Sequence, residues 1–269
     1  MSSEAWIGSA DRALALAADE IKLIRAMTPS NAAAELVGLE QAFRRGSPRL
    51  PRWEYDPAPP PRPELTLALE RLADFLEAAS PLGRVYAARA RELGLEAAMI
   101  ERVGSPTLGE LAVRRFAGDS PQDLEVADAL AERWAGETAS GEGHGGGVLI
   151  RTCDAQHPSS LVSVMSREAG RAKLPVRVVV QPGLASLAAT GDGAILVAEG
   201  KWIGQRDVDR TVLHEIAGHA LPRARAESMA LGIYAVGTAR GIDDQEGRAL
   251  LIEESAGFLD APRRRELGL

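Results

Sequence analysis

Cysteine, aromatic side chains and long apolar runs are all scarce in this chain. A single cysteine, Cys153, stands among 269 residues. No internal disulfide framework can form from it, and such usage suits a reducing, cytoplasmic compartment. Phe, Trp and Tyr together make up 4%, which speaks against an aromatic-lined groove for carbohydrate or nucleic acid. No stretch approaches ~18 uncharged apolar residues, so no membrane span is expected. The opening MSSEAWIGSADRALALAADE carries Glu4, has no basic region, and does not read as a signal peptide. Basic residues are outnumbered, 31 Lys and Arg against 38 Asp and Glu, for a net charge of −7. That balance argues against nucleic acid or an anionic membrane surface as a partner.

What remains is a globular composition, 45% hydrophobic and 26% charged, in a chain long enough to bury a sizeable core. Residues 9–27 read as an amphipathic helix, with Leu14, Ala17, Ile21 and Ile24 at helical spacing. Ser30 and Asn31 are suited to cap a second helix running to about Phe43. Seven prolines between 48 and 63, among them Pro59, Pro60 and Pro61, forbid helix and favour an extended connector. A proline-rich ligand for a partner module is the alternative reading of that stretch. Helices are expected over 64–80, 82–104, 107–116 and 121–135, the last started by Ser120 and Pro121. Six glycines in 136–147 then mark a loop. Strands are expected at 148–153, 176–181 and 194–198, the third after a Gly191-Asp192-Gly193 turn, with a helix at 159–173. Helices return at 206–221, 223–235 and 245–258. The class is therefore α+β with helix in excess: a helical region over 1–135, with its Pro-rich connector at 48–63, and a second region over 148–269.

Two glycine motifs carry no chemistry. Gly141 to Gly146 matches a dinucleotide fingerprint, but it follows a helix and precedes a strand, the reverse of what that fingerprint requires. His144-Gly145-Gly146-Gly147 looks like an esterase oxyanion loop, yet no G-x-S-x-G elbow exists to serve it. Cys153 with His157 could form a thiol–imidazole pair. A small buried hydrophobe and a loop histidine are the plainer readings.

The chemistry concentrates at His214-Glu215-Ile216-Ala217-Gly218-His219. The familiar zinc peptidase helix places its histidines at i and i+4. Here the second is at i+5, which on a regular α-helix lies roughly 140° from the first. Gly218 precedes His219, and Pro222 follows three residues later, expected to stop the helix. A widened, π-like last turn would bring both rings to one metal. Hydrolytic zinc takes three protein ligands, and Glu246 lies 32 residues after His214 in the carboxylate-rich helix start Asp243-Asp244-Gln245-Glu246. A His214, His219, Glu246 site for Zn2+ with Glu215 as general base is the natural assembly. The alternative is a helix whose histidines and glutamate pair with nearby arginines.

These residues resemble the tubulin tyrosine carboxypeptidase family of metallopeptidases, whose bacterial relatives are described as flavohaemoglobin expression-modulating QEGLA-motif proteins. The family pattern is a Leu-x-His-Glu-Ile-x-x-His helix followed by a (Gln/Glu)-Glu-Gly-Leu-Ala segment. Here the two read Val212-Leu213-His214-Glu215-Ile216-Ala217-Gly218-His219 and Gln245-Glu246-Gly247-Arg248-Ala249. The segment Tyr86–Met99 and Gly104-Ser105-Pro106 also look like the family's helical region, so the resemblance spans roughly residues 64–258. It implies a zincin-like metallopeptidase fold, with His214, His219 and Glu246 as zinc ligands and Glu215 as catalytic base. Arg248 departs from the usual Leu, and the chain ends 23 residues after Glu246, which leaves room for a partner chain to complete the pocket. The function implied is a carboxypeptidase acting on the C-terminus of a peptide or protein. Arg223, Arg225, Arg240 and Arg248 are the candidates to hold the terminal carboxylate, each alternatively a surface arginine. Tubulin is a poor candidate substrate, because a net charge of −7 would repel an acidic tail. A metal-binding regulatory or maturation protein with little turnover is the alternative.

Overall fold

The computed structural model describes residues 5–57, 62–117, 121–135, 148–191 and 193–268. The glycine loop 136–147 with His144, and Pro59–Pro61, Ser120 and Asp192, lie outside the described residues. In chain order the helices are α1 (Ile7–Glu20), α2 (Leu23–Met27), α3 (Ala32–Arg44), α4 (Pro63–Ala79), α5 (Pro81–Glu101), α6 (Leu108–Phe116) and α7 (Pro121–Ala135). Then come β1 (Ile150–Arg151), α8 (Leu161–Arg171), β2 (Arg177–Gln181), β3 (Ala188–Gly191), β4 (Ala194–Ala198) and β5 (Trp202–Ile203). The chain ends in helix: α9 (Gln205–Leu213), a π-helix (His214–Ala220), α10 (Leu221–Ala226), α11 (Ile233–Val236), α12 (Gly241–Ser255) and α13 (Ala261–Gly268). The architecture is helix-rich α+β, as expected from the sequence.

The chain folds as two units that share it unevenly. One comprises residues 1–117 and 229–240, the other 118–228 and 241–269. The first is all helical among its described residues. Leu14, Ala73, Leu76, Tyr86 and Leu93 are fully buried in its core, and Ile233 of α11 joins them. The expected first helix is broken at Ile21 and Lys22, where the backbone turns extended. The break keeps Ile21 in the core but leaves Ile24 73% exposed. Asn31 does not cap α3 with its side chain. It bonds the Arg52 carbonyl and the Glu54 amide instead, pinning the Pro-rich segment to the start of α3. Four charged residues are buried together: Arg89 donates to Glu92 and Glu96, and Arg115 donates to Glu96 at 2.9 Å. Glu92 also accepts the backbone N–H of Arg240 at 2.9 Å.

The second unit holds both sheets. β2 pairs parallel with β4, and β3 pairs antiparallel with β4, so β4 is central and β3 an edge. β1 and β5 form a separate two-residue ribbon, so the first expected strand shrinks to Ile150–Arg151, while β3 and β5 were not anticipated. α8, α9 and the π-helix cover the three-stranded sheet, burying Leu161, Met165, Ile195, Val197, Val208 and Ile216. Apolar burial on this scale, at ~25 cal/mol per Å², drives the docking of helix on sheet. The expected helix over 223–235 is two short ones, because the chain turns at residues 227–232 and α11 belongs to the other unit.

Candidate metal centre

The centre sits on one continuous helical rod. α9 passes into the π-helix at His214 and out of it into α10, which runs to Ala226. A π-turn holds more residues per turn than an α-turn, and Leu221 N–H accordingly donates to the Ile216 carbonyl five residues back. Side chains five apart therefore meet. The Nε2 atoms of His214 and His219 lie 3.2 Å from each other. Pro222 does not end the helix, contrary to expectation. It falls in the first turn of α10, where a missing N–H is tolerated.

Helix α12 brings the third group. Glu246, Ala249 and Glu253 share one face at i, i+3 and i+7, and that face lies against the π-helix. Glu246 Oε2 is 3.4 Å from His214 Nε2, and its Oε1 is 3.3 Å from His219 Nε2. Ala249 packs where Gly218 has no side chain, and a Cβ added to Gly218 would stand 2.6 Å from the Ala249 Cβ. Gly218 thus has a packing role besides the loosening of the turn expected of it. Farther along α12, Glu253 Oε1 lies 2.7 Å from His214 Nδ1. Its Oε2 accepts from Arg263 Nε at 3.2 Å. Gln245 Oε1 lies 3.5 Å from His219 Nδ1. The order is antiparallel, early α12 residues meeting His219 and late ones His214.

Charge follows from this geometry. Burial presses His214 toward its neutral form, but hydrogen bonds to Glu246 and Glu253 outweigh it and raise its pKa to about 9. The bond to His214 is the main cause that holds Glu246 below its ordinary value. Burial opposes ionisation of Glu253, which its bonds to His214 and Arg263 nevertheless hold below the usual carboxylate value. Glu215 is buried, 6% exposed. Its Oε2 accepts a 2.7 Å hydrogen bond from the Thr190 hydroxyl on β3. His214, His219 and Glu246 are thus a group that could hold a metal ion, their ligand atoms all within 4.8 Å of one another.

The arginines are scattered. Arg223 lies 3.9 Å from Glu227 on α10, and Arg225 is exposed beside it. Arg240 belongs to the other unit, with φ of 59° and its amide on Glu92. Arg248 is exposed on α12, two residues beyond Glu246. Cys153 is partly buried and accepts from Gly200 N–H through Sγ. His157 Nδ1 accepts from the Ser159 amide in its own turn. Sequence reasoning missed Glu253, Arg263, Thr190 and Gln245. Glu253 had a signal in its spacing of seven from Glu246, which repeats a helix face, and Gln245 in its place at the head of the Gln-Glu-Gly segment; Thr190 and Arg263 had none.

This His–His–Glu cluster lies inside the span, residues 40–269, that matches the family described as microtubule-associated tyrosine carboxypeptidase. The chain belongs to that family. Its family is one of carboxypeptidase-type enzymes, whose substrates are peptides or proteins. No curated protein and no solved structure matches the chain. No described helix is long and apolar enough to cross a membrane.

Proposed function

We propose that this family member is a zinc-dependent, zincin-like carboxypeptidase that removes residues from the C-terminus of a peptide or protein in a reducing compartment. In this reading residues 148–269 are the catalytic region and 1–135 the helical one. The observation that carries it is the triangle of donors. Two imidazole nitrogens and a carboxylate stand 3.2, 3.3 and 3.4 Å apart. Ligand atoms ~2.0–2.1 Å from a tetrahedral zinc are spaced about 3.3–3.4 Å apart. The donor set suits zinc chemically, two imidazoles and one carboxylate.

His214, His219 and Glu246 would hold the ion. When bound, it supplies Lewis-acid polarisation of the scissile carbonyl and lowers the pKa of the attacking water. Glu253 holds Nδ1–H of His214, which leaves the Nε2 lone pair turned to the site, and Arg263 keeps Glu253 charged and in place. Glu215 accepts the proton of the attacking water and passes it to the leaving amine. Its burial and its position next to His214 in sequence support that role over ligation, since neighbouring helical residues point in different directions. The family name refers to microtubules and to tyrosine. For this chain the net charge of −7 favours a substrate end less acidic than a tubulin tail.

The test is Glu215→Gln, which keeps shape but cannot accept the proton. It should retain zinc and lose hydrolysis by a factor on the order of 10²–10⁴, read by mass spectrometry on a peptide library. Release of single C-terminal residues by the wild type alone supports the reading. Internal cuts refute the exopeptidase part. Zinc bound with no cleavage of any peptide would favour the regulatory alternative.

A further inference from the structure

The face of the three-stranded sheet that meets the π-helix is apolar except at one position. Residues opposite each other across a ladder, and residues two apart along a strand, share a face. On β3 this places Ala188 and Thr190 together; Thr190 pairs with Ile195, and Ile195 pairs with Val178 on β2. Ala188, Ile195, Val178 and, farther along β4, Val197 all belong to the core against the helices. Valine has the shape of threonine and would suit such a face better, because a hydroxyl placed there costs free energy unless it finds a partner. Thr190 has one: its Oγ1 donates to Glu215 Oε2 at 2.7 Å.

We infer that Thr190 is a positioning residue for the general base, an inference that rests on the peptidase reading above. A carboxylate on a flexible arm samples several rotamers, and only some of them let it accept the proton of the attacking water. With Oε2 engaged by an edge strand, the carboxylate plane is fixed and Oε1 is the oxygen left for the water's proton. The π-helix sets where the Glu215 backbone lies, and the sheet sets how its carboxylate is turned. Alignment between the two is what the hydroxyl supplies, and neither element supplies it alone.

The experiment compares Thr190→Val with Thr190→Ser on the zinc-loaded chain. The probe is an N-blocked peptide pool with its last two residues randomised. Thr190→Val should lower kcat about tenfold or more with KM within about twofold, and Thr190→Ser should restore kcat to within about threefold. Unfolding of the metal-free chain gives a second readout that needs no substrate. Thr190→Val should lower Tm by about 2–4 °C with Glu215 in place, and by much less when Glu215 is Leu, because the hydroxyl then has no carboxylate to serve. A Thr190→Val chain with wild-type kcat overturns the inference and leaves the peptidase reading standing. An equal Tm loss in both backgrounds also overturns it, since the hydroxyl would then act elsewhere. A wild type that cleaves nothing sinks the peptidase reading and the positioning role together, whatever the unfolding cycle reports on the bond.

Discussion

Ala249 packs directly on Gly218, so the helix that carries Glu246 touches the helix that carries both histidines at the one residue between them that has no side chain. In an ordinary exposed helix, Gly→Ala gains ~1 kcal/mol. Here the contact should reverse the sign. Gly218→Ala should destabilise by about 1–3 kcal/mol, and Gly218→Val by more. Both should weaken zinc binding at least about tenfold, because the ligand helices are pushed apart. Urea unfolding and competition with a chromophoric chelator measure the two effects. A Gly218→Val chain that binds zinc like wild type would show that the close approach is dispensable.

Removing a ligand should abolish the stabilisation that metal gives. Zinc at about 100 times Kd adds ~2.7 kcal/mol, a Tm rise of about 5–10 °C for a chain of this size. His214→Ala, His219→Ala and Glu246→Gln should each lose that rise in a thermal scan with and without added zinc. Full zinc occupancy in His214→Ala would refute the ligand assignment.

Glu253 bonds His214 through Nδ1, the ring nitrogen turned from the metal triangle, yet it should matter for affinity. Glu253→Gln keeps an acceptor for the imidazole N–H but removes the negative charge that faces both His214 and Arg263. Partners of this kind are typically worth 10–100-fold in metal affinity. The chelator competition that tests Gly218 gives the value; a change below about threefold would reduce Glu253 to a packing role.

Acidity should act on the metal-free and metal-bound chains in opposite directions. The pKa of His214 rises from 6.5 to about 9 on folding without metal. The folded state therefore binds the extra proton, and its contribution to stability is complete below pH 6.5 and lost as pH climbs through about 9. The Tm of the metal-free chain should fall over that interval. Zinc must displace the same proton, so its apparent affinity should rise with pH, by up to about tenfold per unit, and level off above about pH 9. A flat affinity profile between pH 6.5 and 9 would contradict a His214 whose proton is held by Glu246 and Glu253.

The buried charges of the helical unit make a further expectation. Glu96 accepts from both Arg89 and Arg115, all three under 10% exposed. Breaking one partner of such a group typically costs ~3–5 kcal/mol. Glu96→Gln should lower the unfolding midpoint accordingly, and a shift of under about 1 kcal/mol in chemical denaturation would mean that water already reaches the cluster.

Local patterns in the sequence carried the fold class and the convergence of His214, His219 and Glu246. A five-residue spacing with glycine just before the second histidine asks for a π-turn, and His214–Ala220 is one. Pro222 misleads because the same residue that breaks a helix interior fits a first turn, and only the π-to-α junction reveals which it is. The short edge strand β3 was invisible, since Ala188-Ala189-Thr190-Gly191 has little strand propensity and owes its state to pairing with β4. For the same reason Thr190 and Arg263 could not be read as parts of the centre. Their partners lie 25 and 10 residues away, and nothing local marks which polar side chain will be turned inward.

The interleaving of the two units has a consequence for how the chain can be made and divided. One unit needs residues 1–117 and 229–240, the other 118–228 and 241–269. Any single cut therefore splits at least one of them. During synthesis the helical unit is complete once residue 240 has emerged, whereas the unit that holds Glu215 still lacks Glu246. Both histidines are present by then, without their carboxylate. Metal capture by the full ligand set thus waits until after the helical unit is complete, and no nascent chain that stops short of residue 246 can compete for the ion with all three ligands.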